Sequence, residues 1–208
     1  MEYLNQTPVA SLILLFTVVT SIYAFNDPTL YGKFMLHPYS VYRKNKLYTL
    51  ITSGMIHSDW MHLIFNMVTL WSFGSVVERI FVARLGVPGF LGFYLSAIVV
   101  AILPSYLRHR HDARYRSLGA SGGVSAVLFA SILFNPWSKL IIFPLPIPIP
   151  AILFAVLYVG YSIWMDRRGG DNINHSAHLV GGAYGIAFTL LAVPESLGHF
   201  LRQIGVSA

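Results

Sequence analysis

The sequence predicts an all-α, polytopic membrane protein with six transmembrane helices. Of its 208 residues, 55% are hydrophobic and only 11% are charged, whereas soluble domains carry about 25% charged residues. A bilayer core about 30 Å thick requires roughly 20 apolar residues per helix. Six runs of that order, none with an acid in its middle, cover 9–25, 60–81, 87–107, 119–135, 149–165 and 176–193. We therefore expect one domain over 1–208, with its core at about 9–193.

The first run is expected to be a retained helix rather than a cleaved signal peptide. A signal peptide begins with a basic region and ends at a cleavage site of small residues. Glu2 is the only charged residue before the run, and it is acidic.

The connections between the runs differ in character. Residues 26–59 are rich in tyrosine and basic residues, which favours a loop partly embedded in the membrane interface. Residues 108–118 form a short basic loop. Residues 144–150 carry a proline at every second position, which excludes a helix and predicts an extended connector. The sequence shows no internal repeat of the kind that marks many secondary transporters.

Composition also limits the chemistry. The chain has no cysteine, which excludes disulfides, thiolate zinc sites and a cysteine nucleophile. The net charge of +6 resides in short loops between apolar runs. Such charges are typical of contacts with anionic lipid head groups, so we expect the lipid bilayer, and no nucleic acid, as a partner.

The first polar cluster, Gly119-Ala-Ser121-Gly-Gly123, opens the fourth run. A serine at a helix start presents its hydroxyl beside backbone N–H groups that have no partner within the helix, and such groups stabilise an oxyanion. A structural alternative is close helix packing, because Gly122, Ala126 and Ala130 form a stripe of small residues.

The second cluster lies in the sixth run and centres on His178. His178, Gly181 and Gly185 share one helix face, and the two glycines allow a neighbouring helix to approach the imidazole. The alternative is a purely structural histidine that bonds a carbonyl group.

The third cluster enters the second run with His57, His62 and Asn66. His62 and Asn66 are four residues apart, so both point the same way and suit a developing negative oxygen. The alternatives are a loop or capping role for His57 and an interhelical hydrogen bond for Asn66.

Together, His-x4-His-x3-Asn, Gly-x-Ser-Gly and Ala-His-x2-Gly-x3-Gly resemble the motifs of the rhomboid family of intramembrane serine proteases. The resemblance implies a bacterial-type six-helix fold, a nucleophile at Ser121 and a general base at His178. It also implies oxyanion stabilisation by His62, Asn66 and Gly119. No metal or other cofactor is implied, the substrates are transmembrane proteins, and the oligomeric state is left open.

Two details bear on this resemblance. No acid lies near the middle of the second, fourth or sixth run, which favours a Ser-His dyad, and Asp171 is interpreted as a solvated loop residue. Many family members carry a Trp-Arg pair in the first loop, where this chain has Tyr48-Thr49.

The resemblance further implies a multi-pass protein of a bacterial plasma membrane whose active site opens to the extracytoplasmic side. That orientation would place ten of the fourteen Lys and Arg residues outside, whereas the positive-inside rule favours the opposite orientation.

Three other functions compete with proteolysis. His57, His62, His175 and His178 could ligate a metal or haem in a membrane metal protein, although no carboxylate stands beside them. A non-catalytic relative that binds membrane clients is the second alternative, and such relatives typically lack the serine or the histidine. A transporter is the third.

Overall fold

The computed structural model describes residues 7–142, 145–170 and 173–206. The chain is mostly helical. In chain order the longer helices are α1 (Pro8–Asn26), α5 (Trp60–Ala101), α7 (Ser121–Phe134), α8 (Ala151–Arg168) and α9 (His175–Ala192). The shorter ones are α2 (Pro28–Phe34), α3 (Pro38–Tyr42), α4 (Thr49–Thr52), α6 (Leu103–His109) and α10 (Glu195–Gln203), with a 3-10 turn at Ser53–Met55.

Helices occupy all six of the predicted apolar ranges. The second and third ranges are joined in α5, whose helical geometry breaks at Gly86, where φ is 73°. Glycine adopts this left-handed conformation without a steric penalty, and Pro88 follows it in the next turn.

Length and composition single out fewer helices as membrane spans. Within the described part of the chain, α1 and the stretch Trp60–His109 are long and apolar enough to cross a bilayer. The pair α9 and α10, bent by 114°, adds a third candidate if it counts as one span. Helix α7 has only 14 residues, or about 21 Å, and α8 ends in the charged residues Asp166, Arg167 and Arg168.

One short region of the mostly helical chain forms strands. Strands β1 (Lys139–Ile142) and β2 (Leu145–Pro150) form a two-stranded antiparallel sheet, with Leu140 opposite Ile149. The alternating prolines of β2 cannot donate the hydrogen bonds of a helix. An extended connector was predicted here, and its pairing with the preceding residues makes it a hairpin.

Helix α7 forms the centre of the bundle. Every residue from Gly122 to Leu133 is buried, and the helix packs between α5 and α9. A cluster of aromatic rings on α5 and α9 fills the neighbouring core, with Phe93 in contact with Phe81, Tyr184 and Phe188. Because α7 is sheltered on nearly all sides, its first residue has a fixed position relative to both neighbours.

A buried carboxylate anchors α1 to α5. Both oxygens of Glu78 accept hydrogen bonds from the first turn of α1, at 2.9 Å from the Val9 nitrogen and 2.7 Å from the Ala10 nitrogen. Its side chain is 1% exposed. A negative charge at a helix N-terminus is stabilised by the free N–H groups and by the helix dipole, which explains an acid inside an apolar bundle.

Candidate active site

Ser121 is the first residue of α7, with Ala120 as the N-cap. The first hydrogen bond within the helix runs from the Val124 nitrogen to the Ala120 carbonyl. The N-cap residue Ala120 makes no side-chain capping bond, and the N–H groups of Ser121, Gly122 and Gly123 have no acceptor within the helix. A hydroxyl next to free amide donors is the arrangement that an acyl-transfer reaction needs.

The loop before Ser121 is held by the segment that precedes α5. Gly119 has a φ of 120°, a conformation that favours glycine, and its nitrogen donates to the Ser53 carbonyl at 2.8 Å. The Ala120 nitrogen donates to Nε2 of His57 at 3.4 Å. These two bonds fix the backbone on the approach to Ser121.

His57 is fully buried and connects this loop to α1. Its Nδ1 lies 3.0 Å from Oγ of Ser21, and since Nε2 accepts from Ala120, Nδ1 carries the proton and donates it. Burial, assisted by the charge of His62, lowers the pKa of His57 to about 3. The ring is therefore neutral near pH 7 and serves as a fixed hydrogen-bonding bridge.

His178 lies in the first turn of α9, and the cap of that helix fixes it. Oδ1 of Asn174 accepts from the Ala177 nitrogen at 3.2 Å. Nδ2 of Asn174 donates to Oγ of Ser105 on α6 at 2.7 Å. The start of α9 is thus attached to α6, the short helix that follows α5.

Two glycines bring α9 against the backbone of α7. A Cβ atom built on Gly181 would lie 2.2 Å from the Gly122 carbonyl oxygen, and one built on Gly185 would lie 2.2 Å from that of Ala126. Ordinary contacts of a Cβ atom begin near 3.4 Å. Only residues without a side chain permit this approach, which puts the turn carrying His178 beside the first turn of α7.

A tyrosine from α8 completes the surroundings of His178. The Tyr158 hydroxyl lies 2.7 Å from Nδ1 of His178, and the two rings are nearly parallel with centroids 6.0 Å apart. The sequence offered no signal for Tyr158, because aromatic residues are common throughout α8.

His62 and Asn66 lie in the first two turns of α5, on the Gly119 side of the site. A Cβ built on Gly119 would lie 2.9 Å from Nε2 of His62, so the imidazole rests against that glycine. Nδ2 of Asn66 donates to the His62 carbonyl at 2.8 Å. An amide nitrogen carries two protons, which leaves one for another acceptor.

The N-terminus of α5 is capped by an acid that also reaches His62. Oδ1 of Asp59 accepts from the His62 nitrogen at 2.9 Å, and Oδ2 accepts from the Ser58 hydroxyl at 2.6 Å. The same hydroxyl lies 3.1 Å from Nδ1 of His62. The hydrogen bond from the Ser58 hydroxyl, followed by the one from the His62 nitrogen, lowers the pKa of Asp59 below its ordinary value.

A small cavity of about 20 Å³ adjoins Ser121. Its walls include Ser53, Gly119, Asn174 and Ala177. A cavity of roughly 10–15 Å³ on this measure holds one water molecule, so the space suffices for a single water between polar groups of α7 and α9.

The histidines do not form a single metal cluster. The ring centroids of His57 and His62 are 4.9 Å apart, and those of His175 and His178 are 5.9 Å apart. Among residues 7–142, 145–170 and 173–206, no three His, Asp or Glu side chains are grouped so as to hold a metal ion. Asp171, which was interpreted as a solvated loop residue, lies outside the described residues.

Comparison with known proteins identifies a rhomboid domain at residues 44–195. The chain is 34% identical to RHOMBOID-like protein 12, mitochondrial, of Arabidopsis thaliana over 170 residues, which are 76% of this chain and 50% of that protein. It is 34% identical to the human Presenilin-associated rhomboid-like protein, mitochondrial, over 142 residues, 66% of this chain and 36% of the relative. It is 29% identical to Rhomboid protease GluP of Bacillus subtilis over 165 residues, 79% of this chain and 30% of the relative. The chain thus matches half or less of the length of each of these relatives.

Proposed function

The chain belongs to the rhomboid family, and from this premise we propose that it is an intramembrane serine endopeptidase with Ser121 as nucleophile and His178 as general base. The observation that carries the proposal is the contact of α9 with the α7 backbone at Gly122. That contact supports the proposal because Ser121 immediately precedes Gly122 and His178 lies one turn before Gly181. A relative named as a protease, GluP, supports the activity.

The proposed reaction follows the chemistry of serine acyl transfer. The Ser121 hydroxyl attacks the carbonyl carbon of the scissile peptide, and Nε2 of His178 takes the hydroxyl proton. The tetrahedral intermediate collapses, the C–N bond breaks, and the imidazolium gives its proton to the leaving amine. A water molecule, deprotonated by His178, then hydrolyses the ester and restores the serine.

The negative oxygen of the intermediate requires donors that are already in place. In our proposal these are the free amide groups at the start of α7, the second amide proton of Asn66 and the Nε2–H of His62, in the tautomer that forms when the Ser58 hydroxyl turns from Asp59 to donate to Nδ1 of His62. Gly119 gives His62 the space to approach, because any side chain there would overlap the ring. Each such donor typically contributes about 10²–10³-fold in rate.

We propose that the substrates are transmembrane proteins and that the chain crosses the membrane six times. Helices α7 and α8 are the least typical of membrane-spanning helices in length or composition. Each is compatible with the proposal for its own reason. Helix α7 is shielded from lipid by its neighbours, so it need not match the bilayer thickness. The charges of α8 lie in its last turn, where an arginine side chain can extend to the interface.

Activity-based labelling tests the dyad. The purified protein is incubated with a fluorophosphonate, which reacts with activated serines, and with a single-span model membrane protein as substrate. We expect labelling and cleavage by the native protein, and neither by Ser121→Ala or His178→Ala at unchanged thermal stability. Cleavage by Ser121→Ala at the native rate would overturn the assignment of the nucleophile.

Our proposal for orientation is that the Ser121 end faces the extracytoplasmic side. The loops at that end are paired with each other, as Leu36 and Ser117 exchange backbone hydrogen bonds. A cysteine introduced at the exposed Ala113 would then react with an impermeant thiol reagent in intact cells. The control, Val206→Cys beyond α10 at the other end, would react only after lysis. The reverse pattern would mean that the basic loops face the cytoplasm.

A further inference from the structure

We propose that Tyr158 is a positioning residue for His178, and that α8 thereby supplies the third member of a Ser121–His178–Tyr158 relay. The inference rests on the proposed function. Its basis is the 2.7 Å contact between the Tyr158 hydroxyl and Nδ1 of His178, together with the near-parallel stacking of the two rings at an angle of 15°.

The single proton of a neutral imidazole sets the direction of the hydrogen bond between His178 and Tyr158. A neutral imidazole has one N–H and one lone pair. To take a proton from Ser121 on Nε2, His178 must carry its own proton on Nδ1. That N–H therefore donates to the phenolic oxygen of Tyr158, and the tyrosine selects the tautomer in which Nε2 carries the lone pair of the base.

Ring packing restricts the tyrosine itself. The Tyr158 ring stacks on Phe154 at 5.3 Å and contacts Phe129 at 6.2 Å. Stacking of the Tyr158 ring against His178 holds the imidazole plane as well as its tautomer. The role is the one that a carboxylate plays in a Ser-His-Asp triad, but here a neutral group performs it.

Among the described residues, the rings of Tyr158 and His175 are titratable groups that contact His178. During the reaction the imidazole becomes cationic, and a hydrogen bond from a cationic donor is stronger than one from a neutral donor. Loss of the Tyr158 hydroxyl should therefore disfavour the protonated base. The acid limb of the pH profile of kcat/KM should then move to lower pH, an effect that a purely structural residue would not produce.

The test compares Tyr158→Phe with Tyr161→Phe. The first keeps the ring and removes the hydroxyl, while the second makes the same change one turn later on α8, at a residue that is 49% exposed. We expect Tyr158→Phe to lower kcat for the model substrate and the fluorophosphonate labelling rate by about 3- to 10-fold, the value of one neutral hydrogen bond. KM should stay unchanged and the acid limb should shift, while Tyr161→Phe should match the native protein.

A spectroscopic measurement reports the tautomer directly. With ¹⁵N-labelled histidine, the native protein should show the His178 proton on Nδ1, and Tyr158→Phe should show a mixture of tautomers. If the native protein is not labelled by the fluorophosphonate and does not cleave the model substrate, the proposed function fails and the relay fails with it. If the native protein is active and Tyr158→Phe equals Tyr161→Phe in rate, pH profile and tautomer, the protease assignment stands and Tyr158 has no positioning role.

Discussion

The substitution Gly181→Ala tests the closeness of α7 and α9 with a single methyl group. The new Cβ would lie 2.2 Å from the Gly122 carbonyl oxygen, against about 3.4 Å for ordinary contact. Because the obstacle is backbone, the helices must separate by about 1 Å. A misplacement of about 1 Å at a reacting centre costs on the order of 10²-fold in rate, so we expect kcat to fall by about that factor. Overpacking should also cost about 1–3 kcal/mol in unfolding free energy.

Two glycine variants serve as controls for this experiment. Gly160→Ala on α8 meets nothing within 4 Å, so it should retain activity and gain slightly in stability, since alanine favours helices over glycine by about 0.5–1 kcal/mol. Gly182→Ala meets the Phe129 ring at 2.9 Å, a side chain that can rotate, so its effect on rate should be smaller. The assay is cleavage of a single-span model substrate by folded protein. Native kcat for Gly181→Ala would show that the separation of these helices does not govern the chemistry.

Three further predictions concern other parts of the chain. His62→Ala and Asn66→Ala should each lower kcat by about 10²–10³-fold without abolishing cleavage, and a complete loss in folded protein would contradict a supporting role. Glu78→Ala leaves two buried N–H groups of α1 unbonded, so the unfolding free energy should fall by about 2 kcal/mol or more, and unchanged thermal stability would contradict the anchor. The pKa of His57 is about 3 when folded and 6.5 in the reference state, so the unfolded chain binds the proton more readily and stability falls as pH drops below about 6.5. The contribution of His57 to the slope is about 1.4 kcal/mol per pH unit and should be lost in His57→Gln, where the remaining slope comes from other groups such as His37, whose pKa burial also lowers; equal pH profiles would refute it.

The positions of the helices could be predicted because their signal is local. A run of apolar residues with defined ends identifies a helix in a membrane protein without knowledge of its neighbours, and helices occur in all six predicted ranges. The small-residue spacing of α7 and α9 is also visible in the sequence. In the structure, Gly181 and Gly185 lie against the backbone at Gly122 and Ala126.

The features that the sequence did not reveal depend on pairing across long separations. Tyr158 is one of several aromatic residues on an apolar helix, and its relation to His178 exists only once α8 and α9 pack together. The hairpin requires β1 to pair with the proline-rich strand β2. No periodic pattern in the sequence predicts this pairing. The sequence does indicate that Glu78 needs a partner, because an acid near the end of an apolar run is costly without one. It does not indicate that this partner is the first turn of α1.

Glu78 and Tyr158 meet burial in different ways, and the difference shows why the relay that we propose for Tyr158 can be neutral. A buried carboxylate is costly unless several hydrogen bonds compensate for lost hydration. Glu78 meets this condition because both of its oxygens accept from a helix N-terminus. Beside His178, an aspartate would lie among the rings of Tyr161 and His175 and would carry its charge throughout the catalytic cycle. A tyrosine hydroxyl accepts the same Nδ1–H bond without that cost, so the base can be oriented inside a bundle where a permanent anion would have to be stabilised separately.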